Sequence, residues 1–411
     1  MKKNLFLLAG AVTMLFALNS CKTETDVLDL DKTLKFSKLT VEEQKQSIEQ
    51  NGIALVDKMD GMQDTKAMIA MEAFITNANG SQEFVKPFSQ LRANLLKNDG
   101  KALETFNQQM RVVAVSGDEN WGIWTWNFMT KDFDFTAGTK NTLTYLFPAT
   151  ENATTNTGEL KMIYVESSVV APDTDPVMYM PSSISVVMKV SGVEAMKADF
   201  AGTYNADATP TSITQTLAID KYNWSFKFTN NAKDATASYG FKYDNEVLFN
   251  FELGAAGTLT ADALQASEGP QDVFTSGAVN LQVMNIAILG GFKDFKSFAD
   301  EMDAIDGQKD SDKTRAEKQV VAINKYLKMY GYFVKENQKF ADVEFYVVEK
   351  TETYQNWVWN PTTQDYDIVN VSETYYDFQP RLVLSDGSKQ DMEDFMSTGF
   401  EDLITKLESY Q

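Results

Sequence analysis

Tyr222-Asn223-Trp224-Ser225-Phe226-Lys227-Phe228-Thr229 decides the fold. Tyr222, Trp224, Phe226 and Phe228 recur at every second position, and Asn223, Ser225, Lys227 and Thr229 fill the gaps. Only an extended strand turns that period into one apolar and one polar face. The same alternation lies on both sides of it. Upstream are Met196, Ala198, Phe200 and Tyr204, then Ile213, Leu217 and Ile219; downstream are Ala235, Ala237, Tyr239, Phe241 and Tyr243, then Val247, Phe249 and Phe251. Asn205 to Pro210, Asp220-Lys221, Asn230-Asn231 and Asp244-Asn245 supply turn residues between these runs. Successive strands with short turns predict an antiparallel meander whose apolar side has to be covered.

Helical signals flank the meander. Thr40 with Glu43 three residues later forms a capping box, and Ile48, Ile53, Leu55 and Val56 follow at helical spacing. Beyond Gly61 come Met68, Ile69, Met71, Phe74 and Ile75, and Phe84 to Val113 holds two further helical pieces broken near Asn98-Asp99-Gly100. Methionine on these faces reads as core filler. After Asp272 the pattern is mixed. A strand is expected over 279–289, a helix over 292–305, a long helix over 313–338, strands over 343–384 and a closing helix over 390–410. The expected class is therefore α+β, an antiparallel β-meander flanked by a helical N-terminal region and a mixed helix/strand C-terminal region. The expected divisions are 38–115 helical, 116–270 antiparallel β and 271–411 mixed α+β, with no Pro/Gly/Ser-rich linker inside.

Residues 1–20 read as a signal peptide: Lys2 and Lys3, an apolar run from Leu5 to Leu18, then Asn19-Ser20 before Cys21. Leu18-Asn19-Ser20-Cys21 resembles the lipobox of bacterial lipoproteins, which implies cleavage before Cys21 and lipid on its sulfur. Cys21 is the sole cysteine of the chain and has no disulfide partner in it. Residues 21–37 read as a lipidated tether, and the membrane is the partner it implies. Lys22 followed by Glu24 and Asp26 resembles the export signal of surface lipoproteins in Gram-negative bacteria. Cell-surface display at the outer membrane is the expectation, with the periplasmic face as alternative.

Composition narrows the chemistry. The net charge of −21 becomes −23 once Lys2 and Lys3 leave with the signal peptide, and such a body repels nucleic acid and anionic polysaccharides alike. The chain has no histidine, which removes Ser-His-Asp and Cys-His nucleophiles and imidazole metal sites. Carboxylates, Tyr, Lys and Ser remain, so a surviving enzyme reading is a two-carboxylate glycosidase or a Ser-Lys hydrolase. No cofactor is expected, since Gly290-Gly291 lacks the Lys-Ser/Thr of a phosphate loop. Asp303, Asp306, Asp310 and Asp312 read as a solvated loop rather than a calcium site.

One internal echo stands out from composition. Trp124-Thr-Trp-Asn-Phe-Met-Thr-Lys-Asp-Phe-Asp matches Trp357-Val-Trp-Asn-Pro-Thr-Thr-Gln-Asp-Tyr-Asp, and the two use four of the six tryptophans. The shared W-x-W-N-x-x-T-x-D-[FY]-D skeleton predicts a hairpin in which Asn127 pairs with Asp132 and Asn360 with Asp365. Trp126 then faces Phe133, Trp124 faces Phe135, Trp359 faces Tyr366 and Trp357 faces Ile368. The first expectation is structural, with Trp126 and Trp359 mostly buried. Two functional readings stand beside it: Trp124, Trp126, Trp357 and Trp359 as platforms for sugar rings, and Asp132, Asp134, Asp365 and Asp367 as oxygen ligands for a metal ion.

By elimination the expected role is non-catalytic binding or interaction with a glycan or protein ligand. Two alternatives remain: an amphiphile carrier holding an acyl chain under a curved sheet, and a carboxylate glycoside hydrolase. An open apolar cavity would favour the carrier, exposed tryptophans the glycan binder, and two facing carboxylates in a cleft the hydrolase.

Overall fold

A computed structural model describes residues 28, 30, 33–77, 85–97, 121–171 and 177–410. Cys21, the tether as far as Asp26 and the helical piece expected after Asn98 lie outside them. The class is α+β, as the patterning predicts.

The chain enters through a two-residue strand, β1 (Lys35–Phe36), and then forms α1 (Val41–Met59), α2 (Lys66–Asn77) and α3 (Lys86–Lys97). The capping box forms, with the Thr40 amide donating to Glu43 Oε2 (2.7 Å) and the Glu43 amide to Thr40 Oγ1 (3.3 Å). Gly61, at φ 93°, turns the chain between α1 and α2.

The sheet follows. It runs through β2 (Gly122–Asn127), β3 (Asp132–Ala137), β4 (Thr142–Phe147), β5 (Gly158–Val170), β6 (Tyr179–Val190), β7 (Val193–Tyr204) and β8 (Pro210–Ile219). Then come β9 (Tyr222–Asn230), β10 (Asp234–Tyr243), β11 (Glu246–Gly257), β12 (Phe274–Val283) and β13 (Ile286–Phe292). From β4 to β13 each strand pairs antiparallel with the next. At one end β2 lies between β3 and β4, antiparallel to the first and parallel to the second. Two-residue turns at Asp220, Asp244 and Met284 each start with a positive φ of 51°, the conformation short hairpins need.

Much of the apolar side of the meander is filled by helices α1–α3. Phe74 on α2 meets Phe88 of α3 edge-on (5.7 Å, 90°), Phe147 of β4 at 4.8 Å and Tyr145 at 5.5 Å. Met68, Met71, Leu91, Met188, Met196 and Leu217 join them with almost no exposure. The methionines are core filler, as their helical spacing implies. Burial pushes the Tyr145 phenol far up, so it stays neutral.

After a short helix, α4 (Ala261–Ala266), the C-terminal part departs from the sequence pattern in three places. The single strand expected over 279–289 is two, β12 and β13, because Met284-Asn285 makes a turn without turn-forming residues at its start. Beyond α5 (Phe295–Asp306), the long helix expected over 313–338 stops early. Helix α6 (Asp312–Tyr326) gives way to β14 (Leu327–Phe333), paired on both sides. Tyr330 and Phe333 fit either a helical stripe or a strand, and the sheet decides. Gly331 lies against the Phe340 ring, where a Cβ would collide. The closing helix is likewise broken, into α7 (Met392–Met396) and α8 (Glu401–Tyr410), with Gly399 at φ 82° between them. No helix among the described residues is long and apolar enough to cross a membrane.

Candidate functional site

The two longest strands carry the feature that the body does not absorb. β15 (Gln338–Asn360) and β16 (Asp365–Val383) pair antiparallel from Asp342↔Val383 out to Asn360↔Asp365. Near its start β15 is held by β14 and β1, and β16 near its end by β17 (Lys389–Asp391). Past that base the two strands pair only with each other, and nearly every residue from Thr351 to Thr374 is exposed. The ten residues beyond the Lys350↔Tyr375 pair reach ~33 Å. The result is a two-stranded arm.

The arm is anchored by polar contacts. Asn324 of α6 clamps the β15 backbone at Phe345, its Nδ2 donating to the carbonyl (2.8 Å) and its Oδ1 accepting from the amide (2.7 Å). Glu344 accepts from Arg381 Nε across the strand pair and from Lys389 on β17, both at 2.6 Å. Partial burial alone would raise the Glu344 carboxyl, but Lys389 and Arg381 hold it below the ordinary glutamate range. Lys350 Nζ donates to Asp377 (2.6 Å), which raises the lysine above its ordinary range.

Both hairpins have the register that the internal echo implies. Asn127 faces Asp132, Trp126 faces Phe133 and Trp124 faces Phe135; Asn360 faces Asp365, Trp359 faces Tyr366 and Trp357 faces Ile368. The shared skeleton is the wiring of one turn. Asn127 Nδ2 donates to Asp134 (2.8 Å) and Asn360 Nδ2 to Asp367 (2.7 Å). Each Asn Oδ1 accepts an amide two residues on, from Met129 or Thr362 (2.9 Å). Asp132 and Asp365 accept the next residue's amide at 2.8 Å, and Lys131 and Gln364 take positive φ of 56° and 55°. Even the ring pairs agree: Trp126–Phe133 at 5.3 Å and 71°, Trp359–Tyr366 at 5.2 Å and 69°.

Their surroundings are opposite. Trp126 is 8 % exposed, with its Phe133 partner held by Phe74 and Tyr145. Trp124 lies stacked over Tyr145 (6.1 Å, 15°). The second pair is bare: Trp357 is 64 % and Trp359 50 % exposed, with Tyr366 and Ile368 beside them. The expected burial holds for Trp126 and fails for Trp359, because among the described residues nothing equivalent to α2 and β4 covers the arm tip. The aspartates serve the turns, and among the described residues no group of three or more acidic or sulfur side chains is placed to hold a metal ion.

The other readings meet the same geometry. Much of the meander side that would have to house an acyl chain is occupied by α1–α3, and its far end holds a small cluster of strand residues, Phe228, Ala237 and Leu253. A pocket of about 150 Å³ lies between Asn205, Asp207, Thr209, Asn230, Thr260 and Asp262. Asp207 there accepts the Thr209 amide (2.9 Å), and Thr209 holds the carboxyl below the aspartate range, the reverse of what a general acid requires.

Tyr366 and Ile368 appear in the sequence reading only as ring partners, and Gln355 and Asn370 do not appear at all. Their signal is the length of the alternating run from Gln338 to Val383, far beyond an ordinary strand. Comparison with protein-family models, curated proteins and solved structures finds no match.

Proposed function

We propose that the chain is a non-catalytic binding lipoprotein, held at the outer membrane by lipid on Cys21 and displayed on the cell surface, with the β15–β16 arm as its ligand-presenting element. The carrying observation is the bare aromatic tip, where Trp357, Trp359, Tyr366 and Ile368 are each at least half exposed. A contiguous apolar patch on a thin projection is an aggregation liability unless a ligand uses it. The first hairpin shows the cost is avoidable, since the same turn and ring pair fit into a core. The acidic tether and the absence of histidine and free thiol support the same reading.

A short-arm variant tests it. Replacing residues 351–374 by Asn-Gly joins Lys350 to Tyr375, which are already directly paired, by a two-residue turn. This variant is expected to melt as the full chain does and to lose its binding on arrays of glycans and purified envelope proteins. Identical binding profiles for the two proteins would sink the proposal.

A further inference from the structure

The arm has two unlike faces. Directly paired residues share a face, and faces alternate along each strand. One face therefore carries Trp359, Tyr366, Trp357, Ile368, Gln355, Asn370, Thr353, Ser372, Thr351 and Thr374. All ten are exposed and none is charged. The opposite face takes every charge of the segment: Lys350, Glu352, Asp365, Asp367 and Glu373. In a chain of net charge −21, an uncharged strip that spans nine residues of each strand, ~27 Å, is a segregated feature.

The strip is also chemically graded. At the tip, Trp357 has no ring partner among the described residues, and Tyr366 props Trp359 edge-on. Trp357 and Trp359 lie two residues apart, ~6.6–6.8 Å. Inward from the rings, Gln355 and Asn370 face each other, and neither amide makes a side-chain hydrogen bond among the described residues. Beyond them Thr353 and Ser372 share a hydrogen bond of 2.9 Å. Aromatic faces followed by amides and then by paired hydroxyls match a ligand with apolar ring faces and equatorial hydroxyls.

We infer that this uncharged face of the arm is the binding track of a neutral polysaccharide, with Trp357 and Trp359 stacking on sugar rings and Gln355 and Asn370 hydrogen-bonding their hydroxyls. The inference rests on the reading of the arm as the binding element. Charge selects the ligand: the acidic body repels uronate or sulfate chains, and the strip offers no cation to them. A lipid surface fits worse, since six of the ten side chains are polar and Asp365 and Asp367 flank the tip. A second copy fits worse too, because two such acidic chains repel each other and the strip has no counter-charge.

Affinity electrophoresis of the full chain through gels containing neutral glucan, mannan or xylan tests this, with alginate as the anionic control. Retardation by at least one neutral polysaccharide and none by alginate is expected. Trp357→Ala and Ser372→Glu should weaken it about tenfold or more, the size of a hot-spot truncation. Val358→Ala, on the opposite face, should leave it unchanged, and all three variants should melt like the parent. No retardation by any neutral polysaccharide, retardation by alginate alone, or equal retardation of Trp357→Ala overturns the inference. So does a dimer that Trp357→Ala dissociates, which would assign the strip to a second copy. Arm-dependent binding to envelope proteins without polysaccharide binding would defeat this inference and leave the broader proposal standing; loss of neither kind on shortening the arm would defeat both.

Discussion

Two tryptophans at the same place in a shared sequence skeleton, with the same ring geometry, lie in opposite environments, and their energetics follow from that. Trp126 closes a cluster with Phe133, Phe74 and Tyr145, so Trp126→Ala leaves a cavity bounded by rings and should cost about 3–5 kcal/mol. Trp359 pairs with Tyr366 and is half exposed, so Trp359→Ala should cost about 0.5–1.5 kcal/mol, the worth of the aromatic pair. Denaturant melts of the two variants measure the difference, and equal losses would mean the arm tip is covered in solution. The sequence pattern carries the register of both hairpins, because Asn, Asp and the ring pairs are local. It does not carry their burial, because that depends on Phe74 and Tyr145, which reach the Phe133 partner of Trp126 from other elements. An identical eleven-residue skeleton therefore predicts the same turn twice and the right exposure once.

At the scale of elements, the arm depends on its base. Glu344 joins β16 through Arg381 and β17 through Lys389, and these two cations hold its carboxyl below the ordinary glutamate range against the upward pull of burial. A depressed folded-state pKa means stability that is fully present above the unfolded value and lost as pH falls through the folded one. At neutral pH, Glu344→Gln should speed hydrogen exchange of the β15–β16 amides near Phe345 and Arg381 about two- to fivefold, equivalent to ~0.5–1 kcal/mol for a partly exposed ion pair. The gap between variant and parent should close as acid protonates Glu344. A gap that persists under acid would place the anchoring in the Asn324 clamp instead. The meander itself is legible from period two alone, since β7 to β11 alternate with Gln215 as the break in the β8 row. Helix α6 and β14 are not, because Leu327 to Phe333 satisfies both periods and only pairing with β13 and β15 chooses between them.

At the scale of the molecule, a filled body with a projecting arm suits a protein that works at a distance from its anchor. Helices α1–α3 cover much of the apolar side of the meander, while the exposed tryptophans lie together on β15. Lipid on Cys21 would fix one end of the chain, and a ligand outside the cell is reachable only if the tether passes the outer leaflet. The acidic residues after Cys21 are the feature that resembles such an export signal, so their removal should strand the protein rather than unfold it. In Glu24→Ala/Asp26→Ala, detergent phase partitioning and total protein should match the parent, while digestion by protease added to intact cells should fall. Cys21→Ser separates anchoring from export, because it should leave the chain unlipidated, either released as a soluble mature body that no longer partitions into detergent or stalled as the longer uncleaved precursor. Unchanged digestion of the Glu24→Ala/Asp26→Ala variant would mean that the acidic residues do not direct export. If the parent itself resists external protease while permeabilised cells are digested, the arm faces the periplasm, and its ligand has to be sought there.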